Sequence, residues 1–199
     1  MADDKNARED QAQNAERRQR EREIAAAVER GDEPEPPVDE AELGDLEADL
    51  EPLSFPATGA DVVAAVGDRE IESPGGTYAV EELVPDTDVE TFGALADVWV
   101  RVQRPTIAVA MKRVIEAGVT VPDIDPHGSQ PDAYEKTFRA LKAIDADDDD
   151  EGIQVIADWI VEQVHEKRKL PGSRAVRREA ATFCRANGYQ VRNDEWLGV

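Results

Sequence analysis

Apolar positions follow a clear order along the chain from residue 53 onwards. The first apolar segment starts after Thr58, a good helix N-cap because Asp61 follows three residues later, and it stops at Gly67. The next stretch, REIESPGGTYAVEEL, predicts a short β-hairpin because Pro-Gly-Gly is a turn sequence. The pattern therefore predicts a helix followed by a hairpin at the start of a compact region.

Five later segments carry apolar stripes at helical spacing, which predicts amphipathic helices packed into a core. Pro105 suits the first turn of the second helix, Ser173 is a suitable N-cap for the last, and Gly188 suits its end. The stripes are formed by Phe92, Leu95, Trp99 and Val102; Ile107, Met111, Val114 and Ile115; Tyr134, Phe138, Leu141 and Ile144; Ile153, Ile156, Ala157, Ile160 and Val164; and Val176, Ala180, Phe183 and Cys184.

These elements predict an α-rich α+β fold with three parts. Residues 1–52 are expected to be a mobile arm, a charged Ala-rich helix followed by an acidic Pro-rich linker, because they have little apolar surface to bury. An arm that folds on contact with a partner is the alternative. Residues 53–120 are predicted to form a small helix–hairpin–helix domain, and residues 130–199 a helical C-terminal module.

The acidic net charge of the chain has two possible explanations. The chain has 45 acidic and 23 basic residues, a formal net charge of -22, and six of the bases are Lys. One explanation is an acidic interaction protein that attracts basic partners. The other is adaptation to a salt-rich cytoplasm, where the Debye length is about 3 Å at molar salt and self-repulsion is weak. The even spread of acids and the scarcity of Lys favour salt adaptation.

The cellular setting is constrained by three sequence features. Cys184 is the only cysteine, so an intrachain disulfide cannot form and a reducing interior is favoured. The N-terminus MADDKNARED has no apolar signal core. No apolar run approaches the roughly 20 residues that span a bilayer. We therefore expect a cytoplasmic protein that does not enter a membrane.

A family resemblance is carried by four short motifs. These are LSFPATGADVVAAV, the following GD, PGGTYAVEEL and ETFGALADV, and they lie between Leu53 and Pro105. This stretch resembles a small domain of uncharacterised haloarchaeal proteins, related to short families of unknown function. The resemblance implies a halophilic archaeal source, in agreement with the charge pattern, and it implies no activity. The helix that starts at Pro105 and the basic C-terminal region lie outside it.

Motifs for catalysis or metal binding are weak. Counted from Asp145, the run DADDDDE has Asp150 and Ile156 where an EF-hand loop needs Gly and Glu. A zinc site needs more ligands than one Cys and the dispersed His127 and His165. Neither a G-x-S-x-G turn nor a P-loop occurs. We predict a protein that is not an enzyme and holds no metal or cofactor.

A basic segment near the C-terminus departs from the acidic background. From His165 to Arg192 there are eight Lys and Arg residues and two acids, so this segment carries +6 and the remainder -28. The layout of this segment, two helices joined by a tight KLPGS turn, is that of a helix-turn-helix. Arginine side chains also suit hydrogen bonding to phosphate groups and to guanine edges. The candidate nucleic-acid-binding residues are Lys167, Lys169, Arg174, Arg177, Arg178 and Arg185.

Three kinds of binding partner are possible for this basic segment. Its arginines could pair with the protein's own surplus carboxylates, bind DNA or RNA, or bind an acidic protein. The leading hypothesis is a non-enzymatic adaptor that contacts nucleic acid. The alternative is a protein–protein interaction or structural subunit with no nucleic-acid role, which would use the N-terminal arm or the helix predicted to carry Phe92 and Trp99. A stripe left exposed on that helix would favour the alternative.

Overall fold

In the computed structural model, the described residues all lie in one compact unit, Glu35–Val199. The predicted N-terminal helix and most of the acidic linker lie outside the described residues, as does His127. The structure describes residues 46, 48–73, 76–122, 129–144, 150–189 and 191.

Helices dominate the described chain, which confirms the α-rich α+β class. Strand β1 pairs antiparallel with β4, and β2 pairs antiparallel with β3. The predicted hairpin turn at residues 74 and 75 lies outside the described residues. The elements are β1 Ala57–Thr58, α1 Gly59–Val66, β2 Glu70–Ser73, β3 Gly76–Ala79, α2 Val80–Leu83, β4 Thr91–Phe92, α3 Leu95–Val102, α4 Pro105–Val119, α5 Ser129–Ile144, α6 Glu151–Lys167 and α7 Ser173–Ala186.

Helix α1 begins with the predicted capping box. The Thr58 backbone N–H donates to Asp61 Oδ2 at 2.9 Å, and the Asp61 N–H donates to Thr58 Oγ1 at 3.1 Å. The Asp61 carboxylate also accepts a hydrogen bond from Thr58 Oγ1 at 2.8 Å, and the two hydrogen bonds that it accepts from Thr58 lower the pKa of Asp61 below its ordinary value. The next N–H groups, of Gly59 and Ala60, donate to carbonyls of the segment between α2 and β4. The cap therefore fixes where α1 meets that segment.

The first of two core clusters joins α1, α2 and α3 to the short strands. Leu46 and Leu50 are both buried in this cluster, at helical i,i+4 spacing. The linker interpretation of residues 1–52 is wrong at these two positions. Their side chains cover apolar surface that residues 53–120 alone would leave open.

The buried side of helix α3 differs from the apolar stripe that was predicted around Trp99. Phe92 is 4% exposed but lies in β4, and α3 begins only at Leu95. The interruption between strand and helix changes the rotational register, so that Val98 is buried and Trp99 is 38% exposed. The predicted core position of Trp99 is therefore wrong.

The second core cluster lies among α4, α5, α6 and α7. Nearly all residues of the four later stripes are buried there, while Ile144 and Phe183 are partly buried against it. Helix α4 takes part in both clusters, because Ala108 belongs to the first and Met111 to the second. The division of the chain between residues 120 and 130 stays a prediction.

Asp150 connects three helices at one end of the second cluster. Its carboxylate accepts hydrogen bonds from Lys142 Nζ of α5 at 2.5 and 2.7 Å and from Thr106 Oγ1 of α4 at 2.9 Å. Its side chain is 15% exposed, and Asp150 is also the N-cap residue of α6. Asp150 is therefore part of the folded helical region at the start of α6. Residues 145–149 lie outside the described part.

Candidate nucleic-acid interface

The connection between α6 and α7 comprises residues 168–172, slightly longer than the usual three to four residues of a helix-turn-helix. Arg168 follows α6 in the left-handed conformation, with φ 54° and ψ 35°, and its N–H donates to Val164 O at 2.9 Å. A side chain in this conformation crowds the following carbonyl. The turn therefore contains one strained position.

Replacing Arg168 with Gly is expected to raise the free energy of unfolding by about 1 kcal/mol, because glycine adopts positive φ without this crowding. The measurement is urea denaturation of the whole chain. Arg168→Ala is the matched control, since it removes the same charge and keeps Cβ, and it should bring no comparable gain. An equal gain in both variants would show that charge repulsion, not backbone conformation, limits stability here.

Tyr134 anchors this turn to α5. Its hydroxyl donates to the carbonyl oxygen of Pro171, and both residues are buried. Burial raises the pKa of Tyr134 above its usual range. The sequence indicated Tyr134 only as a core residue, because its partner lies 37 residues away. This hydrogen bond fixes the point at which the chain enters α7.

Both ends of α7 are defined by backbone geometry. The N-cap is Gly172, with φ -63° and ψ 145°, and Ser173 is the first helical residue, so the predicted N-cap at Ser173 is wrong by one position. The predicted end at Gly188 is confirmed. Gly188 has φ 81°, its N–H donates to Arg185 O at 3.2 Å, and the Tyr189 N–H donates to Cys184 O at 2.8 Å, which is a Schellman motif.

One side of α7 packs into the second core cluster. Val176, Ala180, Ala181 and Cys184 are buried, and Phe183 is half-buried. The Cys184 thiol is buried, as its place on the apolar stripe indicated. The rest of the helix surface faces away from the core.

Three of the candidate arginines share one line on that outer surface. At about 100° of rotation per residue, Arg174, Arg178 and Arg185 fall within about 40° of one another, and all three are exposed. We refer to these three residues as the arginine stripe. Arg177 lies about 60° from Arg174 and is half-buried. The structure thus brings three of the four α7 arginines together and places Arg177 apart.

The two candidate lysines lie at the end of α6 and in the turn. Lys167 is exposed, and its Nζ donates to Gln163 Oε1 one turn earlier. Lys169 is exposed in the connection to α7. Both are exposed and precede the arginine stripe along the chain.

Five ion pairs between described residues lie outside α7. Among the described residues, Arg174, Arg177 and Arg178 take part in no ion pair, so pairing with the protein's own carboxylates has no support there. The ion pairs join Arg69 to Asp49, Arg101 to Glu90, Lys112 to Glu116, Arg113 to Asp158 and Lys142 to Asp150.

Sequence reasoning missed one nearly buried ion pair. Arg101 Nη2 donates to Glu90 Oε1 at 2.5 Å, and the two side chains are 13% and 14% exposed. Burial raises the pKa of Glu90 above its ordinary value; Arg101 opposes this rise, and Glu135 adds to it. Glu90 lies before β4 and Arg101 lies in α3, so no helical spacing rule could have indicated the pair.

A shallow cavity of about 430 Å³ lies beside α1. Its charged lining residues are Asp49, Asp68, Arg69 and Glu81, and Arg69 pairs with Asp49. The lining described by the structure contains no Ser, Cys or His that could act as a nucleophile or base.

Metal binding and membrane crossing find no support in the described part of the chain. No cluster of three or more His, Cys, Asp or Glu side chains there could hold a metal ion. None of the helices in that part is long and apolar enough to cross a lipid bilayer.

A protein-family model matches part of the chain. No curated protein and no solved structure matches the chain. The region matched by the family model contains Leu46, helices α1 to α3 and most of α4, and it ends before the arginine stripe. The expected resemblance to an uncharacterised domain family is thus confirmed: residues 40–114 match the model of a family of unknown function, DUF5789.

Proposed function

We propose that the chain is a non-enzymatic binding or adaptor protein that contacts nucleic acid through the basic surface of α6 and α7. One observation carries this proposal. The exposed arginine stripe lies in a protein with 45 acidic residues, yet Arg174 and Arg178 form no ion pair among the described residues. If these arginines served to neutralise the protein's own surface, carboxylates would be the expected partners.

Phosphate is the anion that suits this surface. The planar guanidinium group donates two parallel hydrogen bonds to phosphate, and it holds its charge at any physiological pH. Lys167 and Lys169 would add point charges beside the stripe. At low salt, the acidic remainder of the chain repels phosphate, so the protein would approach nucleic acid with α7 in front.

The proposed setting is the salt-rich cytoplasm of a halophilic archaeon. The excess of acidic residues, the scarcity of Lys and the single cysteine support it. Because high salt weakens phosphate attraction, binding there would need a close fit as well as charge. A rigid helix that presents its cations in one line meets this requirement.

A protein–protein interaction is the second candidate function. It is favoured by α3, where Trp99 is 38% and Val100 is 47% exposed. Ala96 and Gln103 continue an uncharged surface on the same side of the helix at i,i+3 and i,i+4 spacing. Phe92 is buried and cannot contribute, and the N-terminal arm lies outside the described residues.

The test of nucleic-acid binding is a salt series with labelled DNA and RNA. Wild type is compared with the stripe variant Arg174→Gln, Arg178→Gln, Arg185→Gln. We expect wild type to bind, with an affinity that falls as salt rises. Each lost phosphate contact reduces the logarithmic salt slope by about 0.9 on a duplex, so the stripe variant should lose about 2 to 3 from the slope.

A charge-matched control separates the stripe from net charge. The variant Arg17→Gln, Arg18→Gln, Arg20→Gln removes the same charge from the N-terminal segment and should leave binding unchanged. Loss of binding in this control alone would move the interface to that segment. If folded wild type binds no nucleic acid at any salt, the proposal fails and the α3 surface becomes the leading candidate.

A further inference from the structure

We infer that the nucleic acid is duplex DNA and that α7 enters its major groove, an inference that rests on the proposed function. Two features of the exposed side of α7 carry it. These are the length of the arginine stripe and the small size of the residues beside it. Both suit a helix that lies within a groove rather than one that touches only the outside of the duplex.

The length of the stripe fits the major groove of B-form DNA. Arg185 lies eleven positions after Arg174, which corresponds to about 16 Å along the helix. The major groove is about 12 Å wide and admits one α-helix, and 16 Å along it corresponds to about five base pairs. Arginines near both ends and Arg178 between them could therefore reach both phosphates and base edges.

The side chains next to the stripe on the helix surface are small and nearly all uncharged. Ala175, Thr182 and Ala186 are exposed there, between the stripe and the half-buried Glu179 at the far edge. Small side chains allow the backbone to come close to the base edges. Their methyl groups also suit contact with the methyl group of thymine. A surface that met phosphates alone would not need this close approach.

Both ends of α7 are held in place, as a recognition helix requires. The Tyr134 hydroxyl fixes the turn before the helix, and the Schellman motif at Gly188 closes its end. Lys167 and Lys169 lie at the end of the preceding helix and in the turn. In a helix-turn-helix the first helix crosses the phosphate backbone, which is the position that these lysines would occupy.

The same surface suits RNA and single strands poorly. The major groove of A-form RNA is deep and narrow, and side chains cannot read it. Single strands are held by exposed aromatic side chains on which the bases stack. Phe183 is the only aromatic residue of α7, and it packs half-buried against the core. Among the aromatic side chains that the structure describes, only Trp99 is exposed, and it lies on α3.

The test compares four probes of one base sequence with the full-length protein. They are a DNA duplex, its single strand, the corresponding RNA duplex, and a DNA duplex whose major groove is blocked by glucosylated 5-hydroxymethylcytosine. We expect the unmodified DNA duplex to bind about tenfold more tightly than each of the others, because only it offers an open major groove.

A charge-preserving variant tests groove contact separately from charge. Arg174→Lys, Arg178→Lys, Arg185→Lys keeps the positive charges but removes the planar fork that pairs with guanine. We expect the DNA duplex to bind about tenfold more weakly with a similar salt slope, and the single strand to bind as before. Unchanged far-ultraviolet circular dichroism and urea midpoint would show that the variant is folded.

The outcomes distinguish this inference from the proposed function. Equal or tighter binding of the RNA duplex or the single strand, or an undiminished affinity for the glucosylated duplex, overturns the major-groove inference and leaves nucleic-acid binding in place. Equal binding of the DNA duplex by wild type and the Lys variant also overturns it, because only phosphates would then be contacted. If the folded protein binds none of the four probes, both fail.

Discussion

Replacing Arg101 with Met is expected to lower the free energy of unfolding by about 3 to 5 kcal/mol at neutral pH. Methionine retains much of the apolar volume of the arginine side chain but leaves the Glu90 carboxylate without its cation. The Glu90 side chain is only 14% exposed to water. Its Oε2 and Arg101 Nη1 already have no hydrogen-bond partner among the described residues. A buried charge that loses its only described ion pair has no compensation.

The measurement is urea denaturation with two controls. Arg113→Met breaks the exposed pair with Asp158, where the side chains are 40% and 61% exposed, and should cost less than about 1 kcal/mol. Combining Glu90→Gln with Arg101→Met should recover most of the lost stability, because no buried charge is then left unpaired. Equal effects of Arg101→Met and Arg113→Met would contradict the assignment of the Glu90–Arg101 pair as buried.

The pH dependence of this variant gives an independent check. Burial already raises the pKa of Glu90 in the folded protein, and removing Arg101 removes the interaction that opposes this rise. When the folded pKa is raised, stability is fully present below the unfolded pKa and is lost as pH rises through the folded pKa. The deficit of Arg101→Met should therefore be smaller at about pH 5 than at pH 7, because Glu90 then takes up a proton more readily. A deficit that is constant over this range would point to lost packing instead.

Periodicity predicted the core of the second cluster well because it depends on local geometry. An apolar residue every three or four positions must face one side of a helix, so the stripes of α4 to α7 could be derived without tertiary information. The same reasoning failed at Trp99, because the chain leaves strand β4 before α3 begins and the helical register starts afresh at Leu95. The burial of Leu46 and Leu50 was not predicted, because they lie among acidic residues and prolines, which are typical of a linker.

Interactions between distant residues could not be derived from the sequence. The Tyr134 hydroxyl meets Pro171 across 37 residues, and the spacing of two residues that pair through tertiary structure follows no rule. The basic segment was visible in the sequence, but the half-burial of Arg177 and the line formed by the other three α7 arginines depend on how α7 packs. Asp150 shows the same limit, because its partners lie on α4 and α5.

Replacing Gly59 with Ala is expected to lower the free energy of unfolding by at least about 3 kcal/mol, as a backbone clash and lost hydrogen bonds combine. A Cβ at this position would overlap the carbonyl oxygen of Pro85 and lie 3.3 Å from Thr87 O. Both obstacles are backbone atoms, so no side chain can rotate away to make room.

The clash at residue 59 would also disturb the buried ion pair between Glu90 and Arg101. The Gly59 N–H donates to Glu90 O at 2.9 Å, and the Ala60 N–H donates to Thr87 O at 3.1 Å. Moving α1 away from this segment would stretch both hydrogen bonds and shift the backbone that carries Glu90, whose carboxylate must stay within reach of Arg101. The cost of Gly59→Ala should therefore include part of the cost of Arg101→Met, and the two substitutions combined should destabilise by less than the sum of their separate effects.

Gly172→Ala is the control, because a Cβ there meets no atom within 4 Å and φ is -63°. Its effect should stay within about 0.5 kcal/mol, since the lower entropy of the unfolded chain offsets the weaker N-cap. Urea denaturation of the two single glycine variants and of the combined Gly59→Ala, Arg101→Met variant gives all the required values. Strict additivity in the combined variant would show that α1 and the ion pair are independent. Wild-type stability of Gly59→Ala would show that the segment from Pro85 to Glu90 moves aside freely, and the close approach would then place no constraint on the sequence.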